Sequence, residues 1–430
     1  MKIMNVKGGY DFLPKEQKIR NYINDTLRKI FEEYGYNSIE TPILCYYDIL
    51  SDKYDKENDI LKEIYKLSDQ GERELGLRYD LTVPFAKFIA LNKNKIQMPF
   101  KRYEIDKVFR DGPVKIGRDR EFTQCDVDVV GLPGQLIETE LITLFKRAFD
   151  ELNIDIYIEY NSRNLMNGLI LESNVDEKLL PKVTTIIDKK KKITADEFKR
   201  YLKELSLTDE QIEQLNNNLN LNLEELNKKF NNTSNKYIKI GLIELNNLFN
   251  YINKLDLSDI CIFTPSLARG QNYYTGNVFE VFDKKQRITG SIGAGGRYDK
   301  MITNFIDDDE EYPTVGISFG LSSIYEILKD SDLFEDKSNI DIYIIPMNTN
   351  VECLKLANNL RTFGYKVEIE MQDKKLKKSL KYANKERIPF IIVLGENELK
   401  NKKFNLKDMF NNKEITIDLD NLSKIKEIIK

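Results

Sequence analysis

Three segments of this chain gather residues suited to holding a charged ligand. The first lies between two alternating apolar runs and reads Phe109-Arg110-Asp111-Gly112-Pro113-Val114-Lys115-Ile116-Gly117-Arg118-Asp119-Arg120-Glu121-Phe122. Its four cations and two aromatic rings are groups that clamp a phosphate and stack on a planar base. The second sets Arg269 beside two glycines and the pair Tyr273-Tyr274. The third, Gly293-Ala294-Gly295-Gly296-Arg297-Tyr298-Asp299, lacks the side chains that keep backbone away from a ligand. Singly, a surface hairpin, an aromatic corner of a core and a tight turn account for them equally well.

Composition narrows the chemistry. The 430 residues include no histidine, which excludes Ser-His-Asp triads, Cys-His pairs, histidine zinc sites and imidazole acid-base catalysis. Cys45, Cys125, Cys261 and Cys353 are far apart and form no CxxC pair, so neither a disulfide scaffold nor a thiolate metal site is expected. Carboxylates, arginines, lysines and backbone donors remain. Phosphoryl and nucleotidyl transfer suit that set, because they depend on positioning and on stabilising charge.

The elements that must position these groups follow from length and periodicity. A chain of this length holds two to four domains, and 45 Phe plus Tyr suffice for real cores. Apolar residues at helical spacing predict a helix over residues 16–34, stopped at Gly35. Alternation on either side of the arginine-bearing segment predicts two antiparallel strands within 102–131, followed by a helix over 136–152. Residues 161–254 turn to lysine, asparagine and leucine with helical periodicity and a charge run at 189–192, which reads as a helical insertion. Strands are expected at 260–263, 278–282 and 314–319, then a helix at 321–328. A polar stretch, 329–338, precedes a βαβαβ pattern over 339–430 with a parallel or mixed sheet. Net charge is −4, but 339–430 carries +5 against −9 for the remainder, so the tail is the expected polyanion contact. No apolar segment is long enough to span a membrane, nor does the start carry an apolar signal core, so a cytoplasmic location is expected.

In this order, the segments resemble those of the histidyl-tRNA synthetases, a family of class II aminoacyl-tRNA synthetases. The opening Lys7-Gly8-Gly9-Tyr10-Asp11-Phe12-Leu13-Pro14 is similar to the family's N-terminal signature, and Gly35-Tyr36-Asn37-Ser38-Ile39-Glu40-Thr41-Pro42-Ile43-Leu44 to motif 1 at its dimer interface. The hairpin of 102–131 resembles motif 2, the segments around Arg269 and Gly296 resemble the two histidine signatures, and Thr314-Val315-Gly316-Ile317-Ser318-Phe319-Gly320-Leu321 begins like motif 3.

The resemblance implies an α+β fold: an antiparallel-sheet catalytic domain (1–160 and 255–328) carrying the insertion 161–254, a linker 329–338, and an α/β anticodon-binding domain at 339–430. It implies ligation of L-histidine to tRNA(His) through histidyl-adenylate, with ATP as substrate, Mg²⁺ bound through the ATP phosphates, and a homodimer. Arg110 and Arg269 match the catalytic cations on the α-phosphate. Asp80, Thr82, Gln124, Asp128, Tyr273 and Tyr274 match histidine contacts. Phe122 and Gly320 join the two arginines as ATP contacts, while Arg118 and Arg120 match contacts to the tRNA acceptor end.

Four positions depart from the family pattern: Gly112 where an acid is usual, Asp119 where a tyrosine is usual, Asn272 for an aspartate, and Ser322-Ser323 for the Glu-Arg pair that ends motif 3. These departures raise an alternative of another class, a non-catalytic paralogue acting as a regulatory subunit of ATP phosphoribosyltransferase in histidine biosynthesis. Such regulators typically lack the anticodon domain, which is expected here.

Overall fold

The computed structural model describes residues 3–51, 60–269, 273–306, 308, 310–331 and 338–429. The middle of the linker, 332–337, and the segment 270–272 with its departure at Asn272 lie outside the described residues. Two compact units divide the chain, Met1–Asp330 and Ser331–Lys430.

The strands of the first unit are β1 (Asn37–Ser38), β2 (Leu44–Tyr46), β3 (Lys66–Ser68), β4 (Glu74–Leu77), β5 (Phe100–Phe109), β6 (Glu121–Val130), β7 (Ile156–Ser162), β8 (Cys261–Phe263), β9 (Asn277–Asp283), β10 (Gly293–Arg297) and β11 (Thr314–Gly320). Eight of them form one sheet in the order β1-β5-β6-β11-β10-β9-β7-β8. Its middle is antiparallel, and only the outermost pairs, β1 with β5 and β7 with β8, run parallel.

Alternation along β6 explains how the sheet acquires two unlike faces. Thr123, Cys125, Val127 and Val129 are buried on one side, where Phe319 of β11 stacks with Phe31, Phe145 and Phe149. Those three rings come from the helices Pro14–Glu33 and Gln135–Glu151, whose apolar stripes cover this face. The first helix ends before Gly35, which adopts φ +77°, a left-handed turn that glycine enters without penalty. Phe122, Gln124, Asp126 and Asp128 point to the opposite face.

One expectation needs correction. The glycine run 293–297, open to a tight-turn reading, is the central strand β10, because neighbouring backbones approach too closely for side chains: a Cβ on Gly295 would lie 2.2 Å from the Gly316 carbonyl. Of the segment 161–254, Asn161 and Ser162 end β7 and the remainder is helical, with helices from Arg163–Glu172 to Lys236–Lys254.

In the second unit β12 (Ile342–Met347), β13 (Val367–Ile369) and β14 (Phe390–Gly395) pair in parallel in the order β13-β12-β14. A hairpin of β15 (Lys403–Asp408) and β16 (Lys413–Asp418) extends the sheet antiparallel from β14, making it mixed. Among the described residues no helix is long and apolar enough to cross a membrane.

Beneath the first unit's sheet opening, Glu104 is buried between two fully buried arginines, 3.1 Å from Arg78 and 3.5 Å from Arg102, and accepts from the Thr41 amide and hydroxyl. Without the acid, Arg78 keeps Asp106 and Arg102 keeps Asp128, but the Thr41 amide and hydroxyl lose their acceptor. Glu104→Ala is expected to destabilise the first unit by about 1 to 3 kcal/mol, read from its urea unfolding transition.

Candidate functional site

The pocket opens over β6, β10 and β11, and its floor is set by strand register. Gln124 pairs with Gly320, Asp126 with Ser318 and Asp128 with Gly316, so each long polar side chain faces a small residue on the next strand. A cleft of about 190 Å³ results. It is lined by Asp80, Thr82, Arg110, Phe122, Gln124, Asp128, Arg269, Tyr273, Tyr274 and Gly320, which brings together the ten residues expected there from sequence.

At the deep end, Asp128 forms an ion pair with Arg102 at 2.5 Å and accepts a short hydrogen bond from the Tyr298 hydroxyl. Burial works against charge on Arg102, while Asp128 and Glu104 raise its pKa. The same burial pushes Asp128 up, opposed by Arg102 and Tyr298, and keeps Tyr298 a phenol that donates. Burial pushes Asp126 up to about 8, so at neutral pH it carries a proton.

Two acceptors remain open. Asp80 Oδ2 and Gln124 Oε1 are buried without a hydrogen-bond partner among the described residues. The other Asp80 oxygen accepts from the Val83 amide at 3.0 Å, at the start of the helix Thr82–Asn92. The Gln124 amide nitrogen donates to Ser318 at 3.1 Å, which turns its carbonyl away from that strand. Buried acceptors left unpaired are costly, and a bound donor removes the cost.

Two cations, Arg110 and Arg269, line the mouth. Arg110 lies 4.2 Å above the Tyr79 ring and 5.0 Å from that of Phe122, and its Nε donates to the Tyr79 carbonyl at 3.2 Å. Arg269 rests on Glu280 of β9 at 2.8 Å. Burial disfavours its charge, but Tyr274 and Glu280 raise its pKa. A pocket with acceptors at its floor and guanidinium groups at its mouth suits a small zwitterion joined to a phosphate.

Arg118 and Arg120 lie outside this pocket. Arg118 is exposed, and Arg120 is turned toward the Asp111 carboxylate at 3.1 Å and the Gly112 carbonyl at 3.2 Å. Sequence reasoning missed Arg102, Asp126, Tyr298 and Ser318. The alternation that predicted β5 and β6 also places Arg102 and Asp126 on the pocket face, and that was the available signal.

Three departures have local explanations. The Glu63 carboxylate lies 3.1 Å from where a Cβ on Gly112 would stand, so an acid at 112 would meet another acid. Ser322 donates to Asp119 at 3.0 Å, which means that two of the unusual residues bind one another. A Cβ on Gly117 would stand 3.2 Å from the Ser323 hydroxyl, and the loop therefore occupies space that a longer side chain at 323 would need.

Comparison with known proteins agrees along the whole chain. The family model for histidyl-tRNA synthetase matches residues 8–324, and that for an anticodon binding domain matches 341–427. Histidine–tRNA ligase 1 of Bacillus cereus is 44% identical over 99% of this chain and 99% of its own length. The same protein of Bacillus anthracis is 44% identical over 98% of this chain and 99% of its own. The crystal structure of histidyl-tRNA synthetase from Nostoc superposes with a TM-score of 0.84 at 28% identity, covering both chains fully. A Bacillus halodurans structure described as an ATP phosphoribosyltransferase regulatory subunit/histidyl-tRNA synthetase shares the fold, with a TM-score of 0.76 at 21% identity over 91% of this chain and 98% of its own.

The pocket floor gives a direct test. A Cβ on Gly316 would fall 1.7 Å from Asp128 Oδ1, which Tyr298 holds while Arg102 pins the other oxygen, whereas one on Gly320 would meet nothing nearer than 3.5 Å. Gly316→Ala is expected to cost about 1 to 3 kcal/mol by overpacking, and Gly320→Ala little, measured by chemical denaturation of both variants.

Proposed function

The chain belongs to the histidyl-tRNA synthetase family, and we infer from that membership that it ligates L-histidine to its cognate tRNA at the expense of ATP. The match of full-length relatives named histidine–tRNA ligase, together with an anticodon-binding domain, favours this over a regulatory subunit. The observation that carries the site reading is the pair of buried acceptors, Asp80 Oδ2 and Gln124 Oε1, without a partner among the described residues, in a pocket that Arg110 and Arg269 also line. Asp80, with Thr82, accepts from the ammonium group of histidine. Gln124 and Asp128 accept from ammonium or ring N–H donors, and Tyr273 and Tyr274 wall the imidazole. Phe122 stacks on adenine, and Gly320 lets the nucleotide approach the backbone.

The carboxylate of histidine attacks the α-phosphorus of ATP, forming the C–O–P linkage of histidyl-adenylate as the bond to pyrophosphate breaks. Arg110 and Arg269 lie on opposite sides of that phosphorus and neutralise the charge gathered on its oxygens. A ribose hydroxyl at the tRNA terminus then attacks the acyl carbon, AMP leaves, and the arginines stabilise the departing phosphate. The carboxylates fit Mg²⁺ arriving on ATP rather than held by the protein: Asp128 is engaged by Arg102 and Tyr298, Glu280 by Arg269, and Asp80 is assigned to the ammonium of histidine. Bound there, the ion would offset charge on the phosphates.

We assign the tRNA acceptor contact to Arg118, which is exposed, and to Arg120, whose bonds to Asp111 and Gly112 hold the same loop. In the second unit a groove of about 550 Å³ crosses β14 and β15, with Lys403, Asn405 and Lys407 along one edge. Cations and amides there suit phosphates and unstacked anticodon bases. A homodimer through motif 1 is supported by the exposed apolar residues Ile43, Leu44, Tyr46 and Leu67 on and beside β2 and β3.

Histidine-dependent ATP–pyrophosphate exchange tests the active site. Arg110→Ala and Arg269→Ala are each expected to slow it by about 100- to 1,000-fold with the fold retained; near-normal exchange by Arg269→Ala would refute its role. A chain ending at Asp330 should keep exchange and lose most tRNA charging. Sedimentation at micromolar concentration should show a dimer.

A further inference from the structure

The sheet face that floors the pocket carries one more acid, beyond the site itself. In the observed register Glu104, Asp126, Ser318, Ala294, Glu280 and Glu159 form a single row across β5, β6, β11, β10, β9 and β7. Glu280 and Glu159 are therefore direct cross-strand neighbours with side chains on the same face. Like charges so placed destabilise a sheet unless each has its own cation.

Each has one. Arg269 lies 2.8 Å from Glu280, and Lys191 Nζ lies 2.5 Å from both oxygens of Glu159, whose side chain is only 9% exposed. Lys191 does not belong to the sheet. It comes from the turn Lys190–Lys192 that follows the helix Leu180–Asp188, inside the helical insertion. The sequence shows this stretch only as a run of surface charge. Two further groups lie between this turn and Arg269: Asp188, which ends the preceding helix, is within the fields of Lys192, Glu280 and Arg269, and Arg163, which feels Asp188, donates to the Arg269 backbone carbonyl at 3.4 Å.

Glu280 and Glu159 stand opposite each other on strands one spacing apart, about 4.8 Å, so the carboxylate beside the one that Arg269 holds is the one that Lys191 holds. We propose that Lys191 is a positioning residue for Arg269: by occupying Glu159 it leaves Glu280 as the single carboxylate on which the guanidinium rests, and it thereby couples the helical insertion to the phosphate-binding cation. With Lys191 removed, Glu159 draws the guanidinium sideways, away from the α-phosphate. This inference rests on the reading of Arg269 given above.

The test is a rescue in the full-length protein, followed by histidine-dependent ATP–pyrophosphate exchange. Because a displacement near 1 Å costs about 100-fold in rate, Lys191→Met is expected to lower kcat by about tenfold or more while the KM for histidine stays within about twofold. In Lys191→Met/Glu159→Gln the competing charge is gone, and most of the lost kcat should return. An unchanged kcat in Lys191→Met would overturn the proposal. So would a double variant as slow as the single one, since a lysine that only props the turn is not replaced by neutralising Glu159. If Arg269→Ala itself keeps its exchange activity, the reading of Arg269 fails first; if Arg269→Ala is inactive and Lys191→Met normal, only the positioning role fails.

Discussion

Arg102 is the group on which the pocket depends. It is fully buried, pairs with Asp128 at 2.5 Å and with Glu104 at 3.5 Å, and lies 4.3 Å above the Phe85 ring. Taking an ionised acid out of water costs several kcal/mol, and this face of the sheet buries Glu104 and Asp128 on adjacent strands, beside the protonated Asp126. A cation beneath them makes that concentration of acceptors tenable. It also fixes Asp128, so the acceptor presented to a ligand is preorganised before the ligand arrives.

Strand geometry does the remaining work. Small residues on β10 and β11 lower the floor where long side chains on β6 rise, and aromatic packing on the opposite face keeps the strands in register. The result is a polar cleft on one side of a sheet whose other side is a hydrocarbon core around Phe319. Two roles are thus divided between odd and even positions of the same strand, so a one-residue slip of β6 would exchange the acids for valines.

Much of this is legible in the sequence. Periodicity is enough to place the long hairpin, the flanking helices and the α/β tail, because these segments bury one face against a core and their patterns show it. The ordered motifs place ten residues that the fold then gathers around one cleft. β10 is illegible, since its glycines answer to the closeness of β11 rather than to any periodic pattern. The hairpin β15–β16 escapes for a related reason: it is short, half-exposed and rich in lysine. Lys191 and Glu159 are 32 positions apart, and nothing local to either marks them as partners. Tyr298 can be seen in the glycine signature, but its bond to Asp128 spans 170 positions and appears only once the sheet is built.

The contact between Asp119 and Ser322 bears on the order in which this lineage could change. Asp119 is half-buried, with burial raising its pKa and Ser322 opposing the rise. Restoring a glutamate at 322 while the aspartate remains would set two carboxylates together in a partly desolvated cleft. Replacing Asp119 by tyrosine first would remove the charge before the second acid arrived. The two positions are therefore coupled: an acid at 322 meets less repulsion once the charge at 119 is gone than while it remains.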